Sequence, residues 1–313
     1  MIKKFLKLVL WLVILLSVFQ LYLYASRTEP QKLEVKEETL YVPHWKEHMN
    51  GLRVGIISDL HIGMEYSDAS KLKTVVDLMN NEEPDIIVLL GDFDARAIAY
   101  SNIKEDKISA ILKELKAPDG VYAILGNHDY EPEDIVENIL KSAKIPLLQN
   151  QSKVITYKGR KLKIVGFKDL WHFKLDPEEI IGKISTPVIA LSHNPDVFPE
   201  IPEAVSLTLS GHTHGGEVVF PKIGSPFVPS KYGQRFRKGH ITENNKHLYV
   251  TSGVGTLSGF RLMNPPEIVI LTINQQNDEN MITDTKRNNL FGENWIPVYH
   301  KFKNFVHSFV LKK

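Results

Sequence analysis

Val121-Tyr-Ala-Ile-Leu-Gly-Asn-His-Asp129 is the stretch that decides the fold, because it joins a buried strand to a group of polar side chains. Its apolar, β-branched-rich beginning predicts a core strand, and Gly126 ends that strand. An amide, an imidazole and a carboxylate follow directly, and such groups need partners or water beside a core. The stretch therefore predicts a functional site at the end of a strand.

The same pattern, an apolar run followed by Gly or Ser and then by Asp or His, recurs four more times. The recurrences are Ile57-Ser-Asp-Leu-His61, Leu90-Gly-Asp-Phe-Asp94, Leu191-Ser-His193 and Leu209-Ser-Gly-His-Thr-His214. In open α/β sheets, sites gather at the carboxyl ends of the strands, where all five blocks fall. We therefore expect the five blocks to contribute to one site.

Composition limits the class of protein. The chain has 313 residues, enough for one large or two ordinary domains, and its 43% of hydrophobic residues can form a sizeable core. A formal net charge of +1 and the lack of a dense Lys/Arg run argue against a nucleic-acid partner. The chain has no cysteine, which excludes disulfides, thiolate zinc sites and thiol nucleophiles.

The first 25 residues predict a single-pass membrane anchor. Residues 8–25 are almost entirely apolar and approach the ~20 residues that a helix needs to span a bilayer. A cleaved signal peptide is the alternative, but residues 23–25 lack the small-x-small cleavage pattern, so we favour an uncleaved anchor. Lys3, Lys4 and Lys7 precede the span, which predicts a cytoplasmic N-terminus and an extracytoplasmic remainder.

Beyond the anchor, residues 26–50 are expected to be a linker and lead-in, and residues 51–275 a domain of alternating strands and helices. Strands are predicted near 52–58, 86–90, 121–125, 153–157, 162–167, 187–192, 205–210, 248–252 and 268–273, and helices near 71–80, 103–115 and 135–143. Residues 276–313 are expected to be a polar linker and an amphipathic helix, which either lies on a membrane surface or packs on the domain.

The side chains in the five blocks are those of a hard-metal site. Carboxylates, imidazoles and an amide without a thiolate suit manganese, iron or zinc better than a soft metal. Seven side chains of these kinds are too many for one metal ion. They suit a pair of metal ions that share one carboxylate ligand. In an extended strand end, residues i and i+2 point the same way, so Asp59 with His61, and His212 with His214, are expected to aim together.

The ordered blocks resemble the calcineurin-like metallophosphoesterases, over about residues 52–273. Further motifs resemble the membrane-anchored or exported bacterial branch of that family. They are Thr213-His-Gly-Gly-Glu217, Pro229-Ser-Lys-Tyr-Gly233, Ser252-Gly-Val-Gly-Thr256 and Arg261 through Pro265-Pro-Glu267. The resemblance implies a four-layer αββα sandwich, two mixed β-sheets flanked by helices, with a bimetal site at the carboxyl ends of the strands.

The resemblance also implies roles for individual residues. Asp59, His61 and His214 would hold one divalent ion, Asn127, His193 and His212 would hold the other, and Asp92 would bridge them. Manganese is the expected metal, with iron, zinc or magnesium as alternatives. Water activated by the metal pair would attack phosphorus in line, and His128 would protonate the leaving group or stabilise its charge.

One departure from the family pattern concerns phosphate binding. Family members often carry Gly-Asp-x-x-Asp-Arg, whereas Gly91-Asp-Phe-Asp-Ala-Arg96 has its second acid one place early. Asp94 is expected either to orient a ligand histidine or to cap a loop. Arg96 and Arg261 are candidate phosphate ligands, and a salt bridge in the core is the alternative for Arg261.

These residues predict a membrane-anchored phosphoesterase that hydrolyses a phosphoester or pyrophosphate bond, on a phosphorylated small molecule or a lipid-linked substrate. UDP-2,3-diacylglucosamine, a lipid A precursor, is one candidate substrate, although the predicted orientation counts against a nucleotide-activated sugar. The alternative of another class is a catalytically silent scaffold with the same fold, and the full set of ligands and His128 argue against it.

Overall fold

The computed structural model of the protein describes residues 1–277, in which eleven strands form two sheets. The predicted amphipathic helix near the C-terminus lies outside these residues. The strands are β1 Glu34–Val42, β2 Leu52–Ile57, β3 Ile86–Leu89, β4 Val121–Ala123, β5 Gln151–Tyr157, β6 Arg160–Gly166, β7 Val188–Leu191, β8 Leu207–Ser210, β9 Gly239–Glu243, β10 Lys246–Val250 and β11 Glu267–Gln275. The α-helices are α1 Ile2–Leu23, α2 Ala69–Asn81, α3 Ala95–Tyr100, α4 Glu105–Leu112, α5 Ile135–Ala143 and α6 Pro177–Ile181.

Both sheets are mixed. The first has the order β1-β11-β2-β3-β4, with β2, β3 and β4 parallel and β11 antiparallel to β2. The second has the order β5-β6-β7-β8-β10-β9, with β6, β7, β8 and β10 parallel. Parallel neighbours end at the same edge, so the blocks that follow β2, β3 and β4, and those that follow β7 and β8, come together at one edge of each sheet.

Apolar side chains fill three layers between and outside the sheets. One cluster lies between the two sheets and includes Val54, Val88, Ile164 and Ile189. A second lies between the first sheet and helices α2, α4 and α5, and a third covers the other face of the second sheet with α6. These contacts give the order helix, sheet, sheet, helix, so the predicted four-layer sandwich is confirmed.

Helix α2 illustrates how the sequence forms a flanking layer. Asp68 caps its first turn, because its carboxylate accepts a hydrogen bond of 2.8 Å from the backbone N–H of Lys71. Leu72, Val76 and Met79 follow at helical spacing and are buried against the first sheet. Local capping and periodicity therefore agree with the packing that the fold requires.

The segment expected to be a linker is ordered against the domain. Strand β1 pairs with β11 in parallel over its whole length, from Glu34 opposite Glu267 to Val42 opposite Gln275. Most of its side chains are exposed, because β1 is an edge strand, and only Leu40 and Val42 are buried. The polar composition that suggested a linker is thus the composition of a sheet edge.

We predict that Leu40→Ala destabilises the protein by about 2–5 kcal/mol, since Leu40 is packed in the cluster between the sheets. The matched control is Tyr41→Ala, on the exposed face of the same strand, which should cost much less. Urea unfolding of the full chain in detergent measures both free energies of unfolding. Equally small losses would mean that β1 contributes nothing to the fold.

Candidate metal centre

The five polar blocks meet where the two sheets come together. Asp59 and His61 follow β2, Asp92 follows β3 and Asn127 follows β4, whereas the second sheet supplies the remaining ligand candidates. These are His193 after β7, and His212 and His214 after β8. All six Asp and His side chains are buried, each with 3% or less of its surface exposed.

Two glycines let loops of the site approach closely, Gly211 between the second sheet and the first, and Gly126 between two loops of the first sheet. A Cβ atom on Gly211 would collide with the Asp59 carboxylate and the Ser58 hydroxyl group. A Cβ atom on Gly126 would collide in the same way with the carboxylate of Asp92. Any side chain at either position would therefore occupy space that the carboxylates now fill, which is why only glycine fits.

The backbone at the ligand positions is left-handed rather than extended. Asp59, His61, Asp92, His212 and His214 have φ angles of 53°, 43°, 55°, 67° and 50°. The expectation of an extended strand end was therefore wrong. Asp59 and His61 nevertheless reach the same cluster, whereas His212 and His214 reach two different ones. Such conformations are uncommon for residues other than glycine and cluster at functional sites.

The first cluster consists of Asp59, His61, Asp92 and His214, whose ligand atoms all lie within 4.8 Å of one another. The Nε2 atoms of His61 and His214 face each other at 3.2 Å. Nε2 of His214 also lies 3.4 Å from Oδ1 of Asp59. Two imidazole nitrogens and two carboxylates thus converge on one small volume.

The second cluster consists of Asp92, His193 and His212, again with ligand atoms within 4.8 Å of one another. Nδ1 of His193 lies 2.8 Å from the carbonyl oxygen of Leu90, which can only accept, so Nδ1 carries the proton. The other ring nitrogen, Nε2, is therefore free to act as a ligand and lies 3.1 Å from Oδ2 of Asp92.

Buried polar atoms without hydrogen-bond partners mark the same place. Among the described residues, Nε2 of His193, Nε2 of His212 and Oδ1 of Asn127 are buried and accept no hydrogen bond. Orphaned buried atoms of this kind are costly unless a bound group satisfies them. The donor set, carboxylate, imidazole and amide, fits a pair of divalent ions, and Asp92 belongs to both clusters. The resemblance implied the same division of the Asp and His residues, and their roles as metal ligands stay a prediction.

The charges of the two clusters influence one another strongly. Burial lowers the pKa of His193, but the carboxylate of Asp92 outweighs burial and raises it to about 10. Burial and the charge on His193 lower the pKa of His212 to about 3. The pKa values of these two histidines thus depend on the neighbouring charges, and a cation bound at Nε2 of His193 would compete with a proton for that atom.

Asp129 holds the loops after β3 and β4 together, a role that sequence reasoning did not assign. Its carboxylate accepts hydrogen bonds from the backbone N–H groups of Asp92, Asp94 and Gly126, at 2.8, 2.9 and 2.8 Å. Burial and the neighbouring charge of Asp92 raise its pKa to about 7. Its position at the end of the Gly-Asn-His-Asp block was the available signal.

Asp94 performs both of the roles that were expected as alternatives. Its Oδ2 atom lies 2.9 Å from Nδ1 of His61, and its Oδ1 atom accepts a 2.9 Å hydrogen bond from the N–H of Ala97 at the start of α3. Holding Nδ1 leaves Nε2 of His61 directed into the first cluster. Carboxylate partners of this kind fix the tautomer and orientation of a ligand histidine.

The two candidate arginines lie in different surroundings. Arg96 is at the surface, where it forms an ion pair of 3.4 Å with Glu131. Arg261 is fully buried, and its guanidinium donates to the carbonyl oxygens of Ser252 at 2.8 Å and of His214 at 3.4 Å. Arg261 is therefore in contact with a ligand candidate and Arg96 is not, and phosphate binding by either stays a prediction.

Two side chains lie at the mouth of the site. The half-buried ring of His128 is 5.2 Å from that of His61, and the His128 backbone N–H donates to Oδ1 of Asp92 at 2.9 Å. The Trp171 ring lies edge-on, at 4.7 Å, against that of His212, with 60% of the residue exposed. Sequence reasoning gave no role to Trp171, because no spacing pattern links it to the five blocks.

The family model of the calcineurin-like phosphoesterases matches residues 52–216, a segment that contains every ligand candidate. The chain belongs to this family. Membership identifies it as a hydrolase that acts on phosphoester bonds, and the two buried clusters supply the site for divalent metals that a metallophosphoesterase needs.

Bacterial relatives of this phosphoesterase are similar over most of their length. Phosphodiesterase YaeI of Escherichia coli is 31% identical over 255 residues, which cover 80% of this chain and 92% of the relative. The uncharacterized metallophosphoesterase YkuE of Bacillus subtilis is 30% identical over 266 residues, 82% and 91% of the two chains. UDP-2,3-diacylglucosamine pyrophosphatase LpxG of Chlamydia trachomatis is 27% identical over 309 residues, 80% and 92% of the two chains.

We predict that Asp92→Asn lowers the occupancy of both metal sites, because Asp92 alone belongs to both clusters among the described residues. His214→Ala should mainly empty the first site, to which it belongs. Elemental analysis of the purified variants measures metal content per chain. Normal metal content in Asp92→Asn would exclude the bridging role.

Proposed function

We propose that the protein is a membrane-anchored, metal-dependent phosphoesterase that hydrolyses a phosphoester or pyrophosphate bond on a membrane-associated or lipid-linked substrate. The observation that carries the proposal is the pair of buried clusters that share Asp92 and are bordered by the half-buried His128. Buried ligands position metals rigidly, whereas a partly exposed imidazole beside them can reach a substrate.

The metal pair, when bound, would polarise the phosphoryl group and activate the attacking water. Asp59, His61 and His214 would hold one ion, and Asn127, His193 and His212 the other. The protein's own residues fix this geometry. Asp94 holds the ring of His61, and the backbone N–H of His128 holds one oxygen of Asp92 and leaves the other, Oδ2, near His193.

His128 is suited to act on the leaving group. Its backbone is fixed at both ends, since its N–H donates to Asp92 and its carbonyl oxygen accepts from the N–H of Ala95 at 3.0 Å. Its ring is half-buried and lies beside the ring of the proposed ligand His61. We assign it the transfer of a proton to the departing oxygen.

The names of two relatives suggest the substrate class. One relative is called a phosphodiesterase and another a pyrophosphatase of UDP-2,3-diacylglucosamine, which is a lipid-bearing diphosphate. A diester or a pyrophosphate that carries an acyl chain is therefore the class to test first. Manganese is the metal to add first, with iron, zinc and magnesium as alternatives.

The proposed anchor rests on α1. Together with the short helical turns that follow it, α1 forms a continuous helical segment, Ile2–Gln31. This segment is long and apolar enough to cross a membrane, and most of it is not covered by the domain. The lysines before the apolar run favour a cytoplasmic N-terminus, with the catalytic domain on the other side.

The test of catalysis uses His128→Gln on two substrates that differ in their leaving group. An alkoxide needs a proton, whereas a nitrophenolate is already a stable anion, so the variant should lose ~10²–10⁴-fold on alkyl esters and far less on nitrophenyl esters. The matched control is the ligand variant His61→Ala, which should lose metal and both activities together. Equal losses on both esters, with full metal content in His128→Gln, would contradict the acid role.

The test of orientation uses reporter fusions. A reporter that is active only outside the cytoplasm, fused after Gln275, should give signal, and a reporter that is active only inside should give none. The same two reporters fused directly before Met1 provide the control, with the opposite result expected. Signal from the cytoplasmic reporter alone after Gln275 would reverse the proposed topology.

A further inference from the structure

The end of the proposed anchor is packed directly on loops of the catalytic domain. The carbonyl oxygens of Ala25 and Ser26 accept hydrogen bonds from the N–H of Arg261, at 2.8 Å, and from the hydroxyl group of Tyr66, at 2.7 Å. The buried carboxylate of Glu29 accepts one of 2.6 Å from the N–H of Asn264. The anchor therefore continues into the domain without a flexible joint.

The length of α1 determines how deep this junction lies relative to the bilayer that the proposed anchor would span. Its 22 residues rise about 33 Å, close to the ~30 Å thickness of the hydrocarbon core of a bilayer. If the span begins near the N-terminal lysines, Tyr22 reaches the far interface, where tyrosine is favoured. The ring of Phe260 lies 5.6 Å from that of Tyr22, so this loop of the domain must lie at the same depth.

Two neighbouring segments carry apolar side chains at this junction, and we name residues 217–227 and 256–264 the rim loops. A hydrogen bond of 2.9 Å from the N–H of Val219 to the carbonyl oxygen of Leu262 joins them. The rim loops expose five large apolar side chains, with 40–60% of each residue accessible. They are Phe220, Ile223, Phe227, Leu257 and Met263. Such a concentration of exposed apolar surface marks an interaction site.

The rim loops are also part of the support of the metal centre. The side chain of Asn264 donates to the carbonyl oxygen of His214 at 2.7 Å, and that of Arg261 donates to the same oxygen. Glu217, in the other rim loop, accepts hydrogen bonds from the hydroxyl group of Thr256 and the N–H of Leu257. Residues of the rim loops thus form direct hydrogen bonds to the backbone of the ligand candidate His214.

From these contacts we propose that the rim loops rest on the lipid bilayer from which the anchor emerges, and that the metal centre stands at the height of the headgroups. The inference rests on the proposed anchor and deepens the proposed function. A phosphate that is attached to a lipid of the same leaflet would reach the site without leaving the membrane. Lys222 is exposed between Phe220 and Ile223 in the first rim loop, which suits an anionic lipid surface.

The absence of native cysteine makes this contact directly measurable. Single-cysteine variants Ile223→Cys and Leu257→Cys of the full chain, labelled with an environment-sensitive fluorophore, are reconstituted in vesicles of neutral and anionic phospholipids. We expect the emission of both labels to shift to shorter wavelength and to be quenched by lipids that carry a nitroxide near the headgroup. The quenching should be more than twice that of a label at Val154→Cys, on exposed strand β5 of the second sheet.

A fourth label, at Leu12→Cys within α1, separates failure of this inference from failure of the proposed anchor. If nitroxides near the bilayer centre quench the label at residue 12, but the labels at residues 223 and 257 emit as in water, the proposed contact is wrong and the proposed anchor is unaffected. If the label at residue 12 emits as in water, both the proposed anchor and the proposed contact are wrong. The contact is supported if the labels at residues 12, 223 and 257 show shifted emission and quenching by lipid nitroxides while the label at residue 154 emits as in water.

Discussion

Compensation of buried negative charge is the constraint on which the site depends. Asp59 and Asp92 are almost completely buried, and an isolated buried carboxylate costs several kcal/mol. The charge is compensated by histidines that come from both sheets, so neither sheet can assemble the site alone. Burial raises the pKa of Asp59, whereas the charge on His193 keeps the pKa of Asp92 well below its usual value despite burial. The two carboxylates are therefore not equivalent, because the site raises the pKa of Asp59 and lowers that of Asp92.

This charge cluster is built at a cost in backbone conformation. A left-handed backbone at a residue other than glycine costs roughly 1–2 kcal/mol, and several ligand positions have it. The surrounding hydrogen bonds hold these positions in place, for example the bonds from the N–H of Asp59 to the carbonyl of Gly91 and from the N–H of His61 to the carbonyl of Asp92. Backbone hydrogen bonds thus orient the ligand candidates, which is the requirement for a site of defined geometry.

The fold and the clustering of the Asp and His side chains could be predicted from sequence because their signals are local. Each ligand block directly follows an apolar strand, and the periodicity of α2 and α5 is strong. Strand β1 was missed because an edge strand buries only two side chains and its remaining residues resemble a linker. The left-handed turns were missed because the φ angle of an aspartate or histidine depends on contacts with distant segments. The hydrogen bond of Arg261 to the carbonyl oxygen of His214 was missed for the same reason, since the two residues are 47 positions apart in the chain.

Arg261 and Asn264 give the metal centre a mechanical link to the proposed anchor. The backbone N–H of each binds the segment that leaves α1, and the side chain of each binds the carbonyl oxygen of His214. A displacement of the proposed anchor relative to the domain would therefore act on a ligand candidate through these two residues and their four hydrogen bonds. Because a buried guanidinium that loses its acceptors costs several kcal/mol, this link resists such displacement. The junction with the proposed anchor and the candidate metal centre are in this sense one structural unit.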